Sequence, residues 1–388
     1  MRTARLISRL KSGLRSILGP LLPLARSLRI CPERLRTRKN AAALHLASGI
    51  SVCYLTNQFP QRPALRSEVA RGGAVKLTFL AEHFPHTFPQ ASLLYTVSSV
   101  DHVAKTDIVR IAKRNGLKII LNQNGVAYPA WHGPGWEEPN RKMRAVYQQA
   151  DFIIFQSKFC RNSAEKFLGS PESPAQIIYN PVDLDLYQPL KKQVNRPGPV
   201  LLLGGNQYEQ YRFETALQVL KQILAVLPTA RLIVTGKLWG ENQLISKDIA
   251  NRTLRELDLE DHVEFTGTYS QNDAPKIFQR ADLLLHTKYN DPSPNLISEA
   301  LASGLPVVYS ASGGVPELVG PEAGIGIEVE QSWDKISLPS PQLMAEAVVR
   351  IWENQLSYSE AARQRAVEQF PLAKFIQAHR QLFDRLLE

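Results

Sequence analysis

Asp291 and Glu299 stand eight residues apart in the stretch DPSPNLISEALASGLPVVYSASGGVPE. A Pro/Ser loop holds the first acid, a short segment of helical spacing holds the second, and an apolar run and Gly313-Gly314 follow. Ser293 suits an N-cap and Pro294 a first helical position, with Gly304 just past the helix end. Asp291 is then expected in a loop leaving a strand, and Glu299 about one turn inside the next helix. A helix start offers free backbone N–H groups and the positive end of a dipole, which suits phosphate. A carboxylate beside it suits a ribose or sugar hydroxyl through its two acceptor oxygens. This chemistry points to a phosphate joined to a polyol. A solvated helix glutamate and a tight Gly-Gly turn without a ligand would show the same spacing.

Such a site needs strand ends and helix starts brought to one edge. Short apolar runs at 50–56, 92–97, 117–122, 152–156 and 176–179 read as buried parallel strands, with helices over 74–84 and 105–115 between them. NPVDLDLYQPLKKQVNRPGP, with its prolines and Lys-Lys, reads as an interdomain linker. A second alternation follows. Strands are expected over 200–203, 231–235, 263–266, 282–286 and 306–309, and helices over 213–226, 243–257, 274–280 and 295–303. A further helix opens at Pro316, and residues 357–387 read as helical with a break at Pro371. The expected fold is α/β, two doubly wound Rossmann-like domains facing across a cleft. The divisions are residues 1–45, 46–188, 189–370 and 371–388: a basic arm, a first domain, a second domain and a C-terminal helix.

The bulk properties agree with two folded domains. A chain of 388 residues exceeds one ordinary core, and 44% hydrophobic with 21% charged residues excludes a disordered chain. No long uncharged apolar run reads as a transmembrane helix. Cys31, Cys53 and Cys160 form neither a disulfide framework nor a zinc spacing, which favours a reducing compartment. The net charge of +10 sits in the first 40 residues, which hold eleven Lys/Arg and one acid, Glu33. On a helical wheel Leu6, Ile7, Leu10, Leu14, Ile17, Leu18 and Leu21 share one side, opposite Arg2, Arg5, Arg9, Ser12 and Ser16. A basic amphipathic helix over residues 1–30 suits an anionic membrane surface, with Pro20 and Pro23 kinking or ending it. A signal peptide, a transit peptide, a nucleic-acid arm and a solvated extension are competing readings. The arm lacks the interleaved aromatics that nucleic acid would call for, and no nucleic-acid partner is expected.

The block ADLLLHTKYNDPSPNLISEALASGLPVVYSASGGVPELV, residues 281–319, resembles the donor-site signature of family 4 retaining glycosyltransferases, which have the GT-B fold. IIYNPVDLDLYQP, VEFTGTYS and the helix after FPLAKF extend the resemblance over most of residues 50–388. In that family two glutamates with seven residues between them contact the donor. The resemblance implies that Glu299 binds the ribose of a nucleotide and that Asp291, the catalytic candidate, faces the donor sugar. Asp291 is one methylene shorter than the usual glutamate, by roughly 1.5 Å. Asn295 and Leu296 would offer backbone N–H groups to sugar and phosphates, beside Gly313 and Gly314. In GGNQYEQYR, Asn206 takes the family's arginine position and Arg212 its lysine position, so the cationic clamp is thin. Lys237 in TGK is a second cation, or an ordinary surface lysine.

In the first domain Gly72 and Gly73 resemble the family's Gly-Gly loop, which approaches donor and acceptor. KIILNQNGV places Asn124 where the family commonly has a histidine. An amide can hold a sugar hydroxyl but cannot serve as a base. His132 and Trp131, with Tyr128 and Trp136, suit sugar stacking, or cover the core edge. Ser157 in FQSKF suits a helix cap. The implied reaction is retaining transfer from a nucleotide-diphosphate sugar to a glycan or lipid-linked acceptor, in cell-surface polysaccharide or glycolipid synthesis. No metal or other cofactor is expected, and the implied place is cytoplasmic and peripheral at the inner membrane face. A GT-B protein that binds a nucleotide or glycan without turnover is the alternative, since Asn206, Asn124 and Asp291 each depart from the family.

Overall fold

Strands apolar along their whole length need cover on both faces, and parallel sheets between helices supply it. Val52–Leu55, Leu93–Val97, Phe152–Phe155, Leu283–His286 and Val307–Ser310 are buried at every residue. The computed structural model describes residue 32 and residues 34–64, 72–189 and 196–388. The basic arm expected over residues 1–30, Cys31 and part of the linker lie outside the described residues.

The first domain carries β1 (His45–Leu46), β2 (Val52–Leu55), β3 (Gln90–Ala91), β4 (Leu93–Val97), β5 (Lys118–Gln123), β6 (Phe152–Phe155) and β7 (Ala175–Ile177). Its helices are α1 (Val75–His83), α2 (Lys105–Arg114), α3 (Pro129–His132), α4 (Glu137–Tyr147) and α5 (Lys158–Leu168). Strands β2, β4, β5, β6 and β7 form a parallel sheet in that order, and β1 pairs with β3 apart from it. One core lies between this sheet and α2, α4 and α5, and another covers its opposite face.

The second domain carries β8 (Val200–Leu203), β9 (Arg231–Thr235), β10 (Val263–Gly267), β11 (Leu283–His286), β12 (Val307–Ser310) and β13 (Gly324–Ile327). Its helices are α6 (Gln210–Leu224), α7 (Gln243–Leu257), α8 (Ala274–Phe278), α9 (Asn295–Ala302), α10 (Val315–Val319), α11 (Pro341–Glu353) and α12 (Gln355–Gln369). The parallel sheet runs β10-β9-β8-β11-β12-β13. Its strand order reverses between β8 and β11, and in such sheets the ligand crevice lies outside the carboxyl ends of those two strands. The linker's first half is not loose, since Val182 and Tyr187 pack into this domain's core.

The helical break at Pro371 separates α12 from α13 (Leu372–Leu387). Phe375, Leu382 and Phe383 of α13 join Leu77, Leu80 and Phe84 in the first domain's core, so the chain end crosses back. Strand β13 lies outside the strands expected from residue pattern. Its GIGI is accepted because a Cβ at Gly324 would sit 2.1 Å from the Val307 carbonyl oxygen. One local expectation is corrected. Pro294, with ψ of 125°, is the N-cap of α9, and Asn295 is the first helical residue. The Ser293 hydroxyl instead donates to the Gln156 carbonyl oxygen in the first domain, at 3.4 Å.

Candidate functional site

The carboxyl ends of β8 and β11 present Gly204-Gly205 and the loop from Lys288 to Pro294. Gly204 is packed so closely that a Cβ there would lie 2.5 Å from a Leu296 methyl carbon, so the first loop rests on the start of α9. The loop after β9 backs the first loop: the Lys237 amide donates to Asn206 Oδ1 at 2.8 Å, and the Gln207 amide donates to the Lys237 carbonyl at 2.8 Å. The Lys237 residue itself is exposed. A cavity of about 740 Å³ beside Arg196, Arg231 and Arg280 lies at the opposite edge of the same sheet, away from these loops.

Arg212 is buried in the first turn of α6. Its Nη1 donates to the Asn206 carbonyl at 2.6 Å and its Nη2 to the Gly204 carbonyl at 3.5 Å, while Nε has no partner. The guanidinium thus braces the Gly-Gly loop from beneath. Asn206 carries no charge, and its Nδ2 donates to the Tyr208 hydroxyl.

Asp291 lies at the centre. Lys288 Nζ is 3.2 Å from its Oδ2, and His286 Nε2 is 3.5 Å from the same oxygen. Burial pushes this carboxyl up, but Lys288, His286 and Arg212 outweigh it and hold Asp291 well below the usual carboxylate range. His286, fully enclosed, is pushed down by burial, although Asp291 opposes that shift. Gly313 and Gly314 are needed for close approach. A Cβ at Gly313 would lie 2.5 Å from the Asp291 carbonyl oxygen, and one at Gly314 would lie 2.1 Å from that of Pro292. The Gly314 amide donates to the Asp291 carbonyl at 2.9 Å. These glycines therefore face the chain's own Asp291 loop and set its position.

Glu299 sits one turn inside α9, partly buried beside Tyr187 and Tyr269. Burial pushes its carboxyl up to about 7, and a hydrogen bond from Tyr187 opposes that rise. Asn295 Oδ1 accepts from Asn180 Nδ2 at 2.9 Å, and Leu296 lies under Gly204.

The first domain meets this edge directly. A Cβ at Gly125 would lie 3.0 Å from Pro292 Cγ, so the Asn124-Gly125 turn abuts the Asp291 loop. Asn124 Oδ1 accepts from Lys76 Nζ at 3.3 Å and from Gln156 Nε2, while its Nδ2 donates to Ser99 Oγ at 2.9 Å. Gly73 lies over this amide: a Cβ there would be 2.3 Å from Nδ2. Gly72 adopts φ of 54° with open space around it, as a turn facing a cleft requires. Trp131 is half exposed, and Lys288 Nζ lies 5.1 Å from its ring centroid. His132 is exposed next to it, whereas Tyr128 is buried and Trp136 packs on Phe167. Ser157 caps α5 by accepting from the Cys160 amide, and its hydroxyl donates to the Pro292 carbonyl at 2.7 Å.

Four contributors had no signal in residue spacing. Lys288 falls in a loop where helical periodicity says nothing, and its partners come from both domains. Lys76, buried under Gly73, donates to Asn122 Oδ1 at 3.1 Å, and burial pushes its amine down to about 7 against the opposing pull of Cys160. Glu317 of α10 accepts from the amides of Lys158 and Phe159, capping α5 from the other domain. Trp333 packs among Tyr128, Phe159 and Phe167 of the first domain, and its carbonyl accepts from the Ala130 amide.

Residues 189–365 match the family model described as Glycosyl transferases group 1. Among curated proteins, the putative glycosyltransferase YtcC of Bacillus subtilis is 26% identical over 230 residues, 55% of this chain and 54% of that protein. D-inositol 3-phosphate glycosyltransferase of Mycobacterium tuberculosis is 29% identical over 265 residues, 61% of this chain and 54% of that protein. The matches thus span about half the length of these curated relatives. Anabaena HepE in complex with UDP superimposes with a TM-score of 0.61 at 18% identity, covering 76% of this chain and 79% of that one. Sucrose-phosphate synthase from Thermosynechococcus elongatus gives 0.61 at 19% identity, covering 81% and 77%. At these identities the likeness concerns the fold, the GT-B arrangement of two Rossmann-like domains.

Proposed function

Residues 189–365 belong to glycosyl transferases group 1, and from that premise we propose that this protein transfers a sugar from a nucleoside-diphosphate sugar with retention of anomeric configuration. One observation carries the reading. The start of α9, Gly204-Gly205, Asp291 and Glu299 converge at the switch point of the second sheet, against Asn124 and Trp131 of the first domain. The α9 N–H groups suit the phosphates, Glu299 the ribose hydroxyls and Asp291 the donor sugar. The acceptor approaches past Trp131, His132 and Asn124. Curated relatives named as glycosyltransferases, and structural neighbours solved with UDP and with UDP-glucose, support this reading.

The acceptor we favour is a glycan or lipid-linked sugar, with the basic arm of residues 1–30 holding the enzyme at an anionic inner membrane face. Removing residues 1–31 is then expected to abolish co-sedimentation with anionic vesicles and to leave nucleotide binding unchanged. The donor reading is tested by calorimetry with UDP, GDP, ADP and dTDP on wild type and Glu299→Ala. One nucleotide is expected to bind, and Glu299→Ala to weaken it by about tenfold. If a folded wild type binds none at millimolar concentration, the reading fails. A second reading, binding without turnover, is favoured by Arg212, whose terminal nitrogens face the chain's own carbonyls. Binding of a sugar nucleotide with no release of free nucleotide in the presence of acceptors would support it.

A further inference from the structure

Breaking a sugar–phosphate bond leaves a diphosphate whose terminal oxygen gains negative charge, and a preorganised cation lowers that barrier. The described basic side chains near the switch point differ in how they are engaged. Arg212 is buried and braces the carbonyls of Asn206 and Gly204. Lys76 is enclosed between Asn122 and Asn124. Asn206 is neutral, and Lys237 is exposed on the loop behind it.

Lys288 is held differently. It leaves the end of β11 two residues after His286, its ammonium 3.2 Å from Asp291 Oδ2 and 5.1 Å from the Trp131 ring centroid, with 15% of its side chain exposed. The carboxylate and the ring fix Nζ from two sides without enclosing it. Asp291 is the one carboxylate among these contacts, and it faces both Lys288 and Arg212. Lys288 and Arg212 thus bring two cations to the Asp291 loop, which leads into α9. Trp131 comes from α3, so this cation is set only with the two domains apposed.

We propose that Lys288, positioned by Asp291 and Trp131, supplies the cation that faces the donor diphosphate. This rests on the glycosyltransferase reading above. In the transfer, the bond from the sugar's anomeric carbon to the terminal phosphate oxygen breaks with its electron pair going to that oxygen. The acceptor oxygen bonds to the same carbon, and its proton passes to the departing phosphate oxygen. Lys288 stabilises charge in this step and exchanges no proton.

The test compares a nucleoside diphosphate with its monophosphate. Calorimetry on wild type with UDP, GDP, ADP and dTDP selects the base, and wild type, Lys288→Met and Lys288→Arg are then titrated with that diphosphate and with the matching monophosphate. Lys288→Met is expected to weaken the diphosphate about tenfold and the monophosphate less than twofold, with Lys288→Arg retaining most of the affinity. If Lys288→Met melts early, Lys288→Gln repeats the comparison. Equal weakening of both ligands, or no change in either, overturns the proposal for Lys288 while leaving the donor reading intact. A wild type that binds no diphosphate counts against the glycosyltransferase reading and takes this proposal with it.

Discussion

Replacing Glu299 by glutamine tests the site through a measurement that needs no substrate. Its carboxyl has an ordinary value of 4.5 and is pushed up to about 7 by burial in α9 beside Tyr187 and Tyr269. Between those values the folded state holds a proton that the unfolded state has released. Stability therefore falls as pH rises from about 4.5 to about 7 and levels off above. At roughly 1.4 kcal/mol per pH unit the full penalty would be about 3 kcal/mol, and partial exposure brings it nearer 2 kcal/mol. Glutamine mimics the protonated acid and removes the penalty. In urea unfolding, Glu299→Gln is expected to match wild type at pH 5 and to exceed it by about 2 kcal/mol at pH 8. The ligand effect runs the other way, because two ribose hydroxyls need the ionised carboxylate as acceptor. Nucleotide affinity of wild type should rise between pH 6 and 8, while that of Glu299→Gln stays low and flat. A variant less stable than wild type by the same margin at every pH would refute the burial argument.

Other consequences follow from the same contacts. Gly314→Ala puts a Cβ 2.1 Å from the Pro292 carbonyl oxygen, so the Asp291 loop must move; a loss of about 2 kcal/mol of stability and most nucleotide affinity is expected, read by thermal melting and calorimetry. Lys76 is a base pushed down to about 7 from 10.5, so the unfolded state binds its proton more readily and wild type gains stability as pH rises between those values. Lys76→Met should therefore gain on wild type at pH 6 and lose that gain toward pH 10, measured by urea midpoints. Trp333→Ala removes the ring packed between Phe159 and Phe167; a cost of about 2 kcal/mol and a larger radius of gyration in small-angle scattering are expected.

Local chemistry made much of the scaffold legible. The apolar runs around Val52–Leu55, Leu201 and Leu284 read as buried parallel strands, because they are short and no polar residue alternates along them. Gly304 and Pro371 marked helix ends because few other residues suit those backbone positions. The order Asp291, Asn295, Glu299, Gly313-Gly314 placed an acid in a loop, a helix start beyond it and a second acid one turn in, and the described residues stand so. The cap of α9 falls one residue later than local spacing predicts, because the Ser293 hydroxyl is drawn to Gln156 of the other domain.

Tertiary structure decided what these groups can do. Glu299 is raised and Asp291 lowered although both are carboxylates in one segment, since one faces tyrosines and the other Lys288, His286 and Arg212. Arg212 turned out to brace a loop, and Gly313 and Gly314 to seat the Asp291 backbone. Lys288 meets Trp131, and Glu317 caps α5, only because the two domains close on each other. The sequence by itself determined most of the strands, helices and turns, β13 and the cap of α9 excepted, since those preferences act within a few neighbours. Charge state, partner and accessible face depend on distance and burial among residues far apart in the chain, and only the packed fold sets those.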